Sequence, residues 1–217
     1  MTICLVGSEM CIRDSMKRVT RPIAVGGPVR RVYSHAFPGA RDVDHVRSAY
    51  DYEASIVGNE AVVIVANTGA GHNFPTELRQ RSVESLVIVK DAEGHEVARS
   101  RKVFRDPYKR PYGMTLQTNT QIPSGEEREH RVPIGVADGT VTCELHYKFY
   151  FPIEDNHPEL ANRLERRTLV FADIEPNDAE VETDPYADVK TPEGISPEQA
   201  SPVSYTHLRA HETDRHR

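Results

Sequence analysis

The 217-residue chain has no tryptophan and only three cysteines. No apolar run is long enough to cross a bilayer as a helix. G-x-S-x-G, H-E-x-x-H, P-loop and dinucleotide fingerprints are all missing, which removes the usual sequence support for hydrolase, zinc-protease and nucleotide-binding chemistry. The spacings H-x-H and H-x-x-E-H, which would point to a metal, are missing too. Acidic pairs such as Glu126-Glu127 fall at turn signals, where solvation accounts for them. Catalysis by these residues alone is not expected.

Both ends need separate treatment. Residues 1–15, MTICLVGSEMCIRDS, and 204–217, SYTHLRAHETDRHR, resemble translated sequencing-adapter DNA of the kind found at the ends of assembled environmental reads. A signal peptide is the other reading of the first segment, but Gly7, Ser8 and Glu9 interrupt its apolar stretch. Excluding both ends leaves residues 16–203, expected to be a fragment of a longer gene. Cys143 is then the lone cysteine, which excludes an internal disulfide framework and a cysteine-rich zinc site.

Charge is distributed unevenly. Residues 16–31, MKRVTRPIAVGGPVRR, carry five basic and no acidic side chains. Residues 173–203 carry nine acidic side chains, five prolines and Lys190 as the lone base. The first segment reads as an extended basic strap and the second as a disordered acidic tail. Between them the body is close to neutral, and no basic strip is interleaved with aromatics, so a nucleic-acid partner is not expected.

From about residue 52 to 172 the pattern has period two, broken by closely spaced turn signals. In the run 141–151, Val141, Cys143, Leu145, Tyr147, Phe149 and Phe151 share one face, predicted to be core. Thr142, Glu144, His146, Lys148 and Tyr150 share the other, predicted to meet water. Cys143 therefore reads as a small buried hydrophobe. Gly58-Asn59 and Asp91-Ala92-Glu93-Gly94 mark two hairpin turns, with Gly94 as the left-handed residue. Further strands are predicted near 115–122, 127–134 and 167–175, and short helices at 41–50 and 157–166. Seven or eight strands predict an all-β, immunoglobulin- or fibronectin-like two-sheet antiparallel sandwich. The expected division is 16–50 for the strap and short helix, 51–175 for the sandwich and 176–203 for the acidic, proline-rich tail.

Four histidines, His95, His130, His146 and His157, fall at predicted turns or on predicted wet faces and are expected to be exposed. Two other segments are more distinctive. Ser34-His35-Ala36-Phe37-Pro38-Gly39-Ala40 and Gly71-His72-Asn73-Phe74-Pro75-Thr76 each set a histidine beside a Phe-Pro pair. Proline fixes φ next to an aromatic that can plug a core, so either histidine could be held in one orientation. The simpler reading is that Gly and Pro shape the loops while His caps carbonyls. A cupredoxin-like copper site built from His35, His72 and Cys143 is disfavoured, because Cys143 reads as core-facing and no His-Cys-Met cluster follows it.

On these residues the chain resembles the C-terminal, haem-free β-domain of bacterial multihaem c-type cytochromes, the cytochrome c554-like and related families. The resemblance rests on His35-Ala36-Phe37-Pro38-Gly39-Ala40, on Asn67 through Thr76, on Arg81-Ser82-Val83, on Asp91 to Gly94 and on Ile122-Pro123-Ser124-Gly125-Glu126. It spans about 16–172. The chain departs from the pattern in having no C-x-x-C-H, so no haem is covalently attached to these residues. The resemblance implies a haem c domain upstream in the same chain, with Met16 to Pro22 as the strap that follows its last motif. It further implies electron transfer with redox partner proteins, a periplasmic or extracellular location and no membrane span. His35 is then the leading candidate for a haem-iron axial ligand and His72 the second, while Arg18, Arg21, Arg30 and Arg31 are candidates to pair with haem propionates. The parent could be a haem oxidoreductase. The alternative is a free-standing extracytoplasmic immunoglobulin-like binding or adhesion module.

Overall fold

The computed structural model describes residues 18–34, 39–75, 81–107, 118–149, 161–181 and 184–186. Strands β1 (Arg18–Pro22) and β2 (Val29–Tyr33) form a separate two-stranded sheet. After a 3-10 turn at Gly39–Arg41 and helix α1 (Val43–Arg47) come β3 (Asp51–Val57), β4 (Glu60–Ala66), β5 (Ser82–Asp91), β6 (Glu96–Phe104), β7 (Glu127–Pro133), β8 (Gly139–Lys148) and β9 (Ala161–Phe171). One sheet has the order β3-β4-β7 and the other β6-β5-β8-β9, every pair antiparallel. The chain crosses between sheets after β4, β6 and β7, which makes an all-β sandwich with Greek-key connections.

Alternation explains the core. Val63, Val65 and Val132 of the smaller sheet and Val83, Val87, Val89, Val141, Cys143 and Leu145 of the larger are fully buried in one cluster. Tyr147 and Phe149 continue the inner row of β8 as the sequence predicts. Gly58 and Gly94 sit at φ +62° and +89° in the two hairpin turns, a backbone region that glycine enters without steric cost. In α1, Asp42 caps the N-terminus by accepting the His45 amide at 2.8 Å, and Val46 and Tyr50 turn inward.

Several expectations are corrected. Residues 161–166 continue a strand, because the open edge of β8 offers Ala161–Phe171 a full ladder that outweighs local helix preference. A bulge between Leu145 and His146 accommodates the extra residue and sends Leu164 into the core. The outer face of β8 is not fully wet. Lys148 is buried there, 2.8 Å from the buried Glu84, which also takes Arg101 at 2.6 Å. His146 is only partly exposed and pairs with Glu144 at 2.8 Å. The basic strap is a hairpin, since Gly26 at φ +73° turns the chain back and Val29–Tyr33 pairs with Arg18–Pro22. Part of the acidic segment lies on the sandwich. Asn177 donates to the Ile134 carbonyl at 2.7 Å, and Tyr186 is buried. Residues 115–117, Tyr150, Phe151 and 157–160, including His157, lie outside the described residues.

Candidate functional site

The loop from Asn67 to Pro75 is organised by Asn67, which is wholly buried. Its amide nitrogen donates to the carbonyls of His72 at 2.7 Å and Ile122 at 2.9 Å, and its side-chain oxygen accepts the Ala70 amide at 3.2 Å. Its own backbone bonds Glu126 and Gly125. One side chain thus holds both ends of the loop to the Ile122–Glu126 turn. Phe74 completes the attachment by pairing with Ile122 as an isolated bridge and stacking on Tyr50 with ring centres 5.5 Å apart. The Phe74–Pro75 peptide bond is cis.

Gly69 fastens the loop to the end of α1. Its amide donates to the Ala49 carbonyl at 3.0 Å, and a Cβ there would lie 1.8 Å from the Ser48 carbonyl oxygen, so no larger residue fits. Helix α1 is tied in turn to β9, where Arg47 donates to the Leu164 carbonyl and sits 3.2 Å from Glu165. The Tyr50 hydroxyl donates to Glu165 at 3.2 Å, and burial is the first cause that pushes its pKa up.

On this framework His72 is exposed. Its Nδ1 lies 3.0 Å from the Asn73 carbonyl. A carbonyl only accepts, so Nδ1 carries the proton and Nε2 presents a lone pair. His35 lies outside the described residues. Arg18, Arg21, Arg30 and Arg31 are exposed on the β1–β2 hairpin, and the structure gives no contact between them and His72. Arg18 donates to the Tyr33 hydroxyl at 2.7 Å and lies over its ring, 4.9 Å from the centre. Arg21 and Arg30 stand directly opposite each other across the ladder. Cys143 is buried in the core and burial pushes its thiol up to about 11, the wrong direction for a thiolate ligand. Among the described residues no group of three or more His, Cys, Asp or Glu side chains is placed to hold a metal ion.

The structure assigns a role to a residue that sequence reading treats as surface decoration. His130 points between the sheets, with Nδ1 2.9 Å from Ser85 Oγ on β5 and Nε2 2.8 Å from Ser100 Oγ on β6. It is 4 % exposed, and burial, followed by the charge of Lys102, lowers its pKa to about 4. The signal was present in the alternation, because His130 shares parity with Val132 on β7, but the charged neighbours Glu129 and Arg131 conceal it. A cavity of about 220 Å³ adjoins it, lined by Lys102, Arg101, Thr120 and Asp184 among others.

No protein-family model and no curated protein sequence matches the chain. Among solved structures it is similar to a penta-haem cytochrome c552 from Thermochromatium tepidum, at 18% identity and a TM-score of 0.51. That match covers 69% of this chain and 45% of the cytochrome, so the chain spans less than half of that protein's length. A second match, to the ApaA protein of Bordetella pertussis, has 15% identity over 58% of this chain and 95% of that one, and its TM-score of 0.30 carries no argument. What the first likeness establishes is the fold.

Proposed function

We propose that this chain is the β-sandwich accessory domain of an extracytoplasmic multihaem cytochrome c, packing against haem modules of the same polypeptide in electron transfer. The observation that carries the reading is the agreement of two independent lines. The Asn67–Thr76 and His35–Ala40 segments resemble the haem-free β-domain of such cytochromes, and the fold matches part of a penta-haem cytochrome.

The residues present fit an accessory role and not a covalent one. Cys143, the one cysteine among the described residues, is buried and cannot form the two thioether links of a c-type haem, whereas His72 is exposed in the tautomer that leaves Nε2 available to iron. Haem supplies reversible one-electron chemistry at iron, and the protein tunes it through axial ligands and nearby charge. His72 would be oriented by its bond to the Asn73 carbonyl within a loop held by Asn67. His35 is the other proposed ligand. Arg21 and Arg30 face each other without an acidic residue in the hairpin, and directly opposed like charges destabilise a ladder. A carboxylate neighbour such as a propionate would relieve that repulsion, while alternation turns Arg18 and Arg31 to the opposite face of the hairpin, where a second carboxylate could meet them.

The gene sequence upstream of Met16 tests the reading. C-x-x-C-H motifs are expected there, and a signal peptide running straight into Met16 would instead identify a free-standing binding module. In the intact protein, His35→Ala is expected to alter the low-spin spectrum of one haem. An unchanged spectrum and potential would remove His35 from the ligands.

A further inference from the structure

Among the described residues, strands β6 and β7 are each paired with another strand on one side only, and they face one another across the flank of the sandwich where His130 reaches Ser100. An uncovered strand edge and a cavity beside a buried histidine would ordinarily admit water. Here the chain returns to close them. After β9 it runs past the end of β7, with the Ile174 amide on the Ala137 carbonyl at 3.0 Å and that of Asn177 on Ile134. It then meets the β6 edge, where Asp184 accepts the outward-facing Val103 amide at 2.9 Å and the Tyr186 amide at 2.7 Å. Tyr186 is fully buried, with the Arg105 guanidinium 5.4 Å from its ring centre and its hydroxyl donating to the Thr118 carbonyl. Asp184 and Pro185 thereby form a wall of the cavity that His130 and Lys102 line from the other side.

We propose that residues 184–186 are a latch across the β6–β7 opening, and that proton uptake by His130 releases it. This inference stands apart from the cytochrome reading, because every group in it belongs to the sandwich. The groups facing His130 decide the sign. Lys102 and Arg101 line the cavity from β6 and Asp184 approaches from the latch; Arg128 shares the inner face of β7 but is paired with Glu126 at 3.0 Å, and Ser85, Ser100, Thr118 and Thr120 bring no charge. Both Asp184 oxygens already accept backbone amides, and Arg101 already binds Glu84. An imidazolium would therefore be added beside Lys102, and the serine hydroxyl that donates to the neutral ring would have to turn round and accept instead. With the latch closed, desolvation is the first cause that keeps His130 neutral. Opening admits water and reverses part of that cause, so the open form binds the proton more tightly. By linkage the closed form is favoured above the open-form pKa, and that preference is lost as pH falls toward the closed-form value of about 4. Each unit separating the two values favours opening by up to about tenfold at low pH.

The test is residue-resolved hydrogen exchange on the full chain between pH 7.5 and 4.5, expressed as protection relative to intrinsic rates. The Val103 amide is expected to lose about tenfold or more of its protection near pH 5 while the Cys143 and Leu145 amides of central β8 keep theirs. Tyr186→Phe, which removes the hydroxyl and its bond to Thr118 while keeping the ring, should move that loss to higher pH and raise the pKa of His130 followed by NMR. His130→Asn should abolish the pH dependence at Val103. Loss of protection at Val103 and β8 together would reduce the effect to global unfolding. A pH-independent Val103, or a His130 titration untouched by Tyr186→Phe, would overturn the latch.

Discussion

His72 and His130 occupy opposite environments in the same domain. His72 lies on the surface with Nδ1 on a neighbouring carbonyl, and His130 lies between the sheets with both ring nitrogens on serines. The first keeps a nitrogen for a ligand, and the second has none to give. Availability of the ring nitrogens, more than neighbouring sequence, separates a binding candidate from a structural one.

The comparison breaks first at His130. His130→Ala removes two buried hydrogen bonds and opens a void, so it is expected to cost about 4 kcal/mol in urea unfolding. A cost below 1 kcal/mol would mean the inter-sheet bridge is unimportant. The pH dependence follows from the direction of the shift. The folded-state pKa of about 4 lies below the unfolded value near 6.5, so the unfolded chain binds the proton first. Stability should be flat in this group's contribution above pH 6.5 and fall by up to roughly 3 kcal/mol as pH drops to about 4. His130→Asn should flatten that slope.

Two further substitutions sharpen the contrast between buried polar groups and exposed ones. Lys148→Met leaves the buried Glu84 with Arg101 alone and is expected to cost about 3 kcal/mol, whereas Glu84→Gln combined with Lys148→Met should recover much of it. Equal losses in the single and double variants would contradict the pairing. Asn67→Ala takes away the donor to the His72 carbonyl and one of the two donors to the Ile122 carbonyl, which keeps the Phe74 amide, and should cost about 2 kcal/mol, with faster exchange of the Ala70 amide. The smallest effect is expected at His72. His72→Ala should change stability by less than about 0.5 kcal/mol, because no buried group loses a partner. A large loss there would make His72 structural and end its candidacy as a ligand.

Much of the sandwich was legible because its inner rows alternate cleanly, as at Val141, Cys143, Leu145 and Tyr147, and because glycines mark the hairpin turns at Gly58 and Gly94. The loop at Asn67–Pro75 was legible as a turn with a Phe plug, and Phe74 fills that place. Charged edges were harder to read. Residues 161–166, A-N-R-L-E-R, carry a helix-like pattern, and only pairing with β8 makes them a strand. Lys148 looked solvated because nothing local reveals its partner Glu84, 64 positions away. His130 was hidden for the same reason, since its two serines come from another sheet. Of the proposed ligands, His72 is described and exposed, and the role of His35 rests on the resemblance alone.

The central claim is that this sandwich serves haem modules of its own chain, and the haem content of the intact gene product tests it most directly. After purification and denaturation, the account predicts covalently bound haem c on the polypeptide that carries Asn67–Thr76. A polypeptide containing this sandwich and no covalent haem would contradict it.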